Sequence, residues 1–273
     1  MDRREFLTRS GIGVAAAAST GAASGAGVGL WEHHQERQRR EAKDYAGEGR
    51  GGQRVWWSVD TAERVAALTF DDGPHHELTP RVLKMLARHD LRATFFMIGR
   101  HAADRRGLVR EVMAAGHEIA NHTWSHGRVV EQNRATLRDE IQRGAEALRT
   151  ITGHPTKWFR PPRGMVTGDM LAAAATQGHE IVLWSVSRGG PAVETPAAVL
   201  AHLTNHLHPG AIIDLHDGTG INTTDAKLLQ RRHVELEVLP SFLTRAVAEG
   251  YRFVTVSGLL APTARDSALG VHR

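Results

Sequence analysis

Between Val55 and about Leu260, short apolar runs alternate with longer stretches whose apolar residues recur every three or four positions. The runs cover 65–70, 93–98, 117–120, 158–160, 180–186, 211–215 and 252–256. Each has the length of a buried strand and is too short for a buried helix. Helices are predicted between them at 79–90, 107–116, 131–150, 167–178, 195–207 and 238–250; in the first, Val82, Leu83, Leu86 and Ala87 share one helical face. Thr79-Pro80 and Thr195-Pro196 read as an N-cap followed by proline at the first helical position. Gly116, Gly178 and Gly250 stand where helices should stop. Strand-then-helix units in this number imply a parallel α/β sheet, and seven or eight such strands close more naturally into a (β/α) barrel than they lie open.

The first residues carry a different pattern. Arg3 and Arg4 precede Phe6 and Leu7, then Gly, Ala and Ser dominate from Gly11 to Leu30. This is the form of a twin-arginine export signal, with cleavage expected at a small-x-small site near Ala26. Large apolar residues are too few for a transmembrane helix. The expected organisation is an export signal at 1–30, a charged and glycine-rich linker at 31–54, one catalytic domain at 55–260 and a C-terminal tail at 261–273.

Composition narrows the chemistry. Cysteine is absent, which excludes disulfides and thiolate metal sites. The formal charge of +4 suits contact with an anionic surface or polymer, but no basic stripe is interleaved with aromatics, so nucleic acid is not an expected partner. Seventeen histidines raise the odds of a metal site and of coincidental spacings alike.

Position separates the two. The run ending in LTFDDGP leaves Asp71 and Asp72 at a strand end, where acids serve either as turn formers or as chemistry. His122 and His126, in NHTWSH, follow the third strand, Arg160 ends the fourth in FRPPRG, and His216 ends the sixth in DLHDG. In a parallel barrel all of these gather at one mouth. His202 and His206 have the same spacing as His122 and His126 but fall inside a predicted helix, as a solvated face. Two imidazoles and one carboxylate would leave coordination positions open, as catalytic sites do. Zinc, cobalt and nickel all accept such a donor set, with zinc a natural candidate, so the residues by themselves do not determine the ion.

TFDDGP, H-T-x-x-H, R-P-P-x-G and L-H, in this order across about 65–256, resemble the polysaccharide deacetylases, the NodB-homology group of carbohydrate esterase family 4. The resemblance implies a distorted (β/α) barrel, one divalent ion on Asp72, His122 and His126, and Asp71 as general base toward the attacking water. It further implies that Arg160 holds Asp71, that the Arg163 backbone N–H stabilises the oxyanion, that His216 protonates the leaving group and that Leu215 lines the acetate pocket.

Two departures stand out. Arg163 occupies a position that is usually aromatic in the family. More seriously, LWSVSRGG (183–190) lacks the acids that the family commonly has after the fifth strand, one of which orients the catalytic histidine. Residues two apart in a strand share a face, so Asp214 is the expected replacement partner of His216.

The expected protein is an exported, metal-dependent monomer that removes N-acetyl groups from a GlcNAc-containing polymer, either peptidoglycan or chitin-like, outside the cytoplasm or at the cell envelope. An O-acetyl esterase of the xylan type and a catalytically impaired glycan-binding module are the alternatives. A glycoside hydrolase would need carboxylates on opposite sides of the scissile bond, which adjacent Asp71 and Asp72 do not supply.

Overall fold

The computed structural model describes residues 53–190, 192–220 and 225–261. The expected export signal, nearly all of the linker and the C-terminal tail lie outside the described residues. All seven expected strands are present: β2 (Val65–Asp71), β3 (Thr94–Met97), β4 (Glu118–Asn121), β5 (Trp158–Phe159), β6 with β7 (Glu180–Val182 and Val186–Ser187), β8 (Ile212–His216) and β9 (Arg252–Val254). A two-residue strand, β1 (Val55–Trp56), adds to them. Every pairing between these strands is parallel, in the order β1-β6-β5-β4-β3-β2-β8-β7, with β9 also on β2.

The run at 180–186 divides because its two halves serve different neighbours. β6 pairs with β5 and β1, whereas β7 pairs with β8 at the other end of the sheet order. Ser185 N–H reaches the Ile212 carbonyl between them at 3.0 Å. This one stretch therefore bends the sheet round into a distorted barrel. Within it, side chains alternate as a pleat requires. Ala66, Leu68, Phe70, Ile213 and Leu215 pack in the large outer core, while Ala67 and Ile212 belong to an inner cluster with Phe96, Trp158 and Val182. Asp71, Asp214 and His216 follow the inward parity.

The helices are α1 (Leu78–Arg88), α2 (Gly99–Asp104), α3 (Arg106–Ala114), α4 (Arg134–Thr152), α5 (Gly168–Thr176), α6 (Pro196–His206), α7 (Ala226–Ala248) and α8 (Val256–Leu259). Gly116, Gly178 and Gly250 follow α3, α5 and α7 at positive φ, as expected of helix stops. Thr195 caps α6 as predicted, accepting from the Ala198 N–H at 3.2 Å. Thr79 does not cap α1, which already begins at Leu78. Its hydroxyl instead accepts from His75 N–H and donates to Asp217 at 2.6 Å.

The largest difference lies in α7, which begins at Ala226 rather than near Val238. Pro240 resembles a helix-start residue but sits in the helix interior. Twelve further residues, rich in charge, thereby become helical on the side that faces the barrel mouth.

Candidate active site

β2 and β8 run side by side with Asp71 opposite His216 and Thr69 opposite Asp214. After each strand the chain turns sharply, and the two turns lie against each other. Gly73 and Gly218 permit this: a Cβ on Gly73 would overlap the Asp217 carboxylate, and one on Gly218 would overlap the Asp72 carbonyl. Asp72 itself adopts φ 75°, which turns its side chain away from that of Asp71. The two neighbouring acids therefore meet different partners.

Asp71 Oδ1 accepts from Arg160 Nη1 at 2.6 Å. Arg160 is fully buried; the same Nη1 also reaches Thr69 Oγ1 and Asp214 Oδ1, while Nε and Nη2 donate to the carbonyls of Val182 and Leu183, all at 2.9–3.1 Å. Phe96 lies under the guanidinium, 4.0 Å from carbon to ring centre. One cation thus serves two inward carboxylates. Asp214 bears the cost: burial and the charge of Asp71 push its pKa up to about 7.

Asp72 points the other way, toward two histidines. Its Oδ1 lies 3.2 Å from His126 Nε2 and 3.6 Å from His122 Nε2. His122 Nδ1 is 2.7 Å from the Arg160 carbonyl, which makes Nδ1 the protonated nitrogen and leaves the Nε2 lone pair facing Asp72. His126 sits at φ 58° in a loop built by side chains: its N–H donates to Thr123 Oγ1, Thr123 N–H donates to Asn121 Oδ1, and Ser125 bonds Glu140 of α4. Three left-handed non-glycine backbones, at Asp72, His126 and Arg163, surround one cleft. Each such conformation costs about 1–3 kcal/mol, and such residues cluster at functional sites.

The donor set fits a divalent ion. Asp72 Oδ1 is buried and has no hydrogen-bond partner among the described residues. Oδ2 is held at 3.0 Å by Arg232 Nη2, so the carboxylate is oriented from behind. The nitrogen and oxygen donors lie within 4.8 Å of one another, and among the described residues no other His/Asp/Glu group does so. The electrostatics agree. Burial works to raise the Asp72 pKa, but His126, His122 and Arg232 outweigh it and hold the carboxyl well below its ordinary value. Burial, aided by His122 and Arg163, lowers His126 to about 4, leaving it neutral with a free lone pair. At His122 the carboxylates of Asp71 and Asp72 overcome burial and raise the pKa, so the spot between them favours positive charge.

His216 closes the far side of the cleft. Its Nδ1 lies 3.1 Å from Oε2 of Glu235, on the unpredicted half of α7. This corrects the expectation for Asp214: its carboxylate Oδ1 is taken by Arg160, and the acid against His216 is Glu235. The Glu235 carboxylate is fully buried, and Oε1 accepts from Arg232 at 3.0 Å. Burial and Arg232 would lower the His216 pKa, but Glu235 and Asp214 prevail and raise it to about 9. Arg163 follows Pro161-Pro162 at φ 60° and lines the cleft. Leu215 does not line it. It is 1% exposed in the outer core, since it alternates with inward Asp214 and His216. His202 and His206 stack at 4.1 Å on α6 and take no part in the metal-type cluster.

The cleft has a volume of about 640 Å³ and is bounded by Asp71, Asp72, His122, His126, Trp184 and His216, with several arginines. Sequence reading missed Glu235 and Arg232. The available signal was the R-x-x-E spacing at 232 and 235, which puts both on one helical face, but the segment was not recognised as helix.

Fold and donor set together define a class: parallel barrels whose mouth can hold a divalent ion between one carboxylate and two imidazoles. Comparison with known proteins narrows it. Residues 58–182 match the family model described as polysaccharide deacetylase. The chain is 34% identical over 211 residues to a peptidoglycan-N-acetylglucosamine deacetylase of Bacillus cereus, covering 76% of this chain and 92% of that protein. It is 38% identical over 156 residues to a chitooligosaccharide deacetylase of Bradyrhizobium sp., covering 57% of this chain and 71% of that protein. A solved peptidoglycan N-acetylglucosamine deacetylase, bound to an N-oxidanyl-benzamide, superposes with a TM-score of 0.68 at 28% identity, over 77% of this chain and 94% of that one. The chain belongs to the polysaccharide deacetylase family.

Proposed function

We propose that this protein is an exported hydrolase that removes N-acetyl groups from a GlcNAc-containing glycan, with Asp71 as general base and His216 as general acid. The observation that carries the reading is the division of labour at the barrel mouth. Asp71 is held by Arg160, Asp72 converges with His122 and His126, and His216, on the neighbouring strand, is held by Glu235 of α7. Asp72, His122 and His126 would hold one divalent ion, for which zinc suits the donors and cobalt or nickel would serve. When bound, the ion supplies Lewis-acid polarisation of the acetyl carbonyl and acidifies water.

The protein's own groups carry the protons. Asp71, kept oriented by Arg160, accepts a proton from the attacking water. The Arg163 backbone N–H donates to the oxygen that gains charge at the acetyl carbon. His216, raised to about 9 and therefore protonated at neutral pH, gives its Nε2 proton to the departing nitrogen. The products are acetate and a free amine. The names of the relatives, one acting on peptidoglycan and one on chitooligosaccharide, favour a GlcNAc polymer over xylan.

Paired Arg3 and Arg4 before the Gly/Ala/Ser run support twin-arginine export, which would bring a folded monomer to the extracytoplasmic glycan. The test is acetate release from chitooligosaccharides, peptidoglycan glycan and acetylated xylan by the metal-reconstituted protein. Release from xylan alone would replace this reading with the O-acetyl esterase.

A further inference from the structure

Arg188 borders the cleft on the His216 side, and the chemistry above does not use it. It is 4% exposed, yet among the described residues only Nη2 has an acceptor, the Val193 carbonyl at 2.6 Å. Nε lies 3.4 Å from Glu235 Oε1 without hydrogen-bond geometry, and Nη1 has no hydrogen-bond partner among the described residues. Arg231 lines the same cleft, and its Nε is likewise buried without an acceptor among the described residues. Arg232 is different: its three nitrogens are committed to Gly218, Glu235 and Asp72. Of the other cleft arginines, Arg163 is exposed and Arg128 pairs with Glu131, so buried N–H groups without an acceptor are found on Arg188 and Arg231. Burial, with Arg231 and Arg232 as like neighbours, holds the Arg188 pKa below the usual guanidinium value, although Glu235 opposes this.

A buried donor left unmatched is destabilising, and more so on a charged group. Such groups are matched in nearly all folded proteins, so this one points to a ligand. Because Arg188 touches Glu235, and Glu235 touches His216, the ligand would sit beside the group that protonates the leaving nitrogen. We infer that Arg188 and Arg231 form an anion subsite that takes a carboxylate carried by the glycan on the leaving-group side of the scissile amide. The inference rests on the deacetylase reading of the same cleft. Unmatched N–H donors on two guanidiniums suit the two oxygens of one carboxylate, and guanidinium is the side chain that binds such groups best.

The experiment compares an N-acetylated oligosaccharide bearing one sugar carboxylate with its carboxyl-reduced alcohol. Wild-type protein should favour the acid by about 10- to 100-fold in kcat/KM, mainly through KM. Arg188→Met should bring that ratio near one, Arg188→Lys should retain part of it, and the less buried Arg231→Gln should reduce it. Using the ratio cancels any loss that passes through Glu235 and His216. Equal kcat/KM for acid and alcohol in wild type, or an unchanged ratio in Arg188→Met, would overturn the subsite. Calorimetry with the two deacetylated oligosaccharides reads the same preference without turnover. If neither substrate releases acetate, the deacetylase reading fails, and calorimetry still decides the subsite. Tighter binding of a phosphorylated analogue would overturn the carboxylate assignment.

Discussion

His216 Nδ1 lies 3.1 Å from Oε2 of Glu235, nineteen residues later in the chain, and Glu235 is fully buried. A histidine at a strand end is thus tuned by a helix that packs behind it. This arrangement stands where the segment after the fifth strand carries no acid. The rate of a reaction that needs His216 protonated should fall as pH rises through about 9.

Glu235→Gln removes the charge that raises the His216 pKa. The alkaline limb of the kcat/KM profile should move to lower pH, toward the ordinary imidazole value. Asp214→Asn should move it less, because the Asp214 carboxylate bonds Arg160 rather than the histidine. Profiles of the two variants measured side by side check the assignment. A larger shift from Asp214→Asn would return the orienting role to that residue.

Arg160→Met leaves Asp71 and Asp214 buried with no cation between them. Breaking a buried pair from one side costs about 3–5 kcal/mol, which denaturant unfolding would register at neutral pH. The loss should shrink in acid as Asp214, whose pKa stands near 7, becomes neutral. A variant as stable as wild type at pH 8 would contradict the buried-network account.

His122→Ala and His126→Ala each remove one of the three converging donors and should weaken zinc binding by well over tenfold, as read by competition with a chromogenic chelator. Arg232→Gln, which releases Asp72 from behind, should weaken it by about 10- to 100-fold. Unchanged affinity in the histidine variants would place the ion elsewhere.

Much of the fold could be read from the alternation of apolar runs and helical stretches, because strands buried on both faces leave continuous apolar signals. LTFDDGP, NHTWSH, FRPPRG and DLHDG marked the strand ends for the same reason. The signal failed where charge concealed a helix. In AKLLQRRHVELE, residues 226–237, charged side chains such as Arg232 and Glu235 are buried toward the cleft, so the segment does not show the apolar stripe of a surface helix. Glu235 and Arg232 were therefore out of sight, and Asp214 stood in for the missing acid on strand parity alone. Parity was right about its face. It could not say that Arg160, a fully buried cation from β5's end, would claim the carboxylate first. Leu215 was misplaced for the complementary reason, since the same parity sends it into the outer core.

The central claim is that adjacent acids have separate tasks, Asp72 holding the ion and Asp71 moving the proton. Acetate release from a chitooligosaccharide by zinc-loaded Asp71→Asn, with zinc content measured in the same sample, tests it most directly. The account predicts near-stoichiometric zinc and turnover reduced by about 10²- to 10⁴-fold. Turnover close to that of wild type, or loss of zinc together with activity, would contradict it.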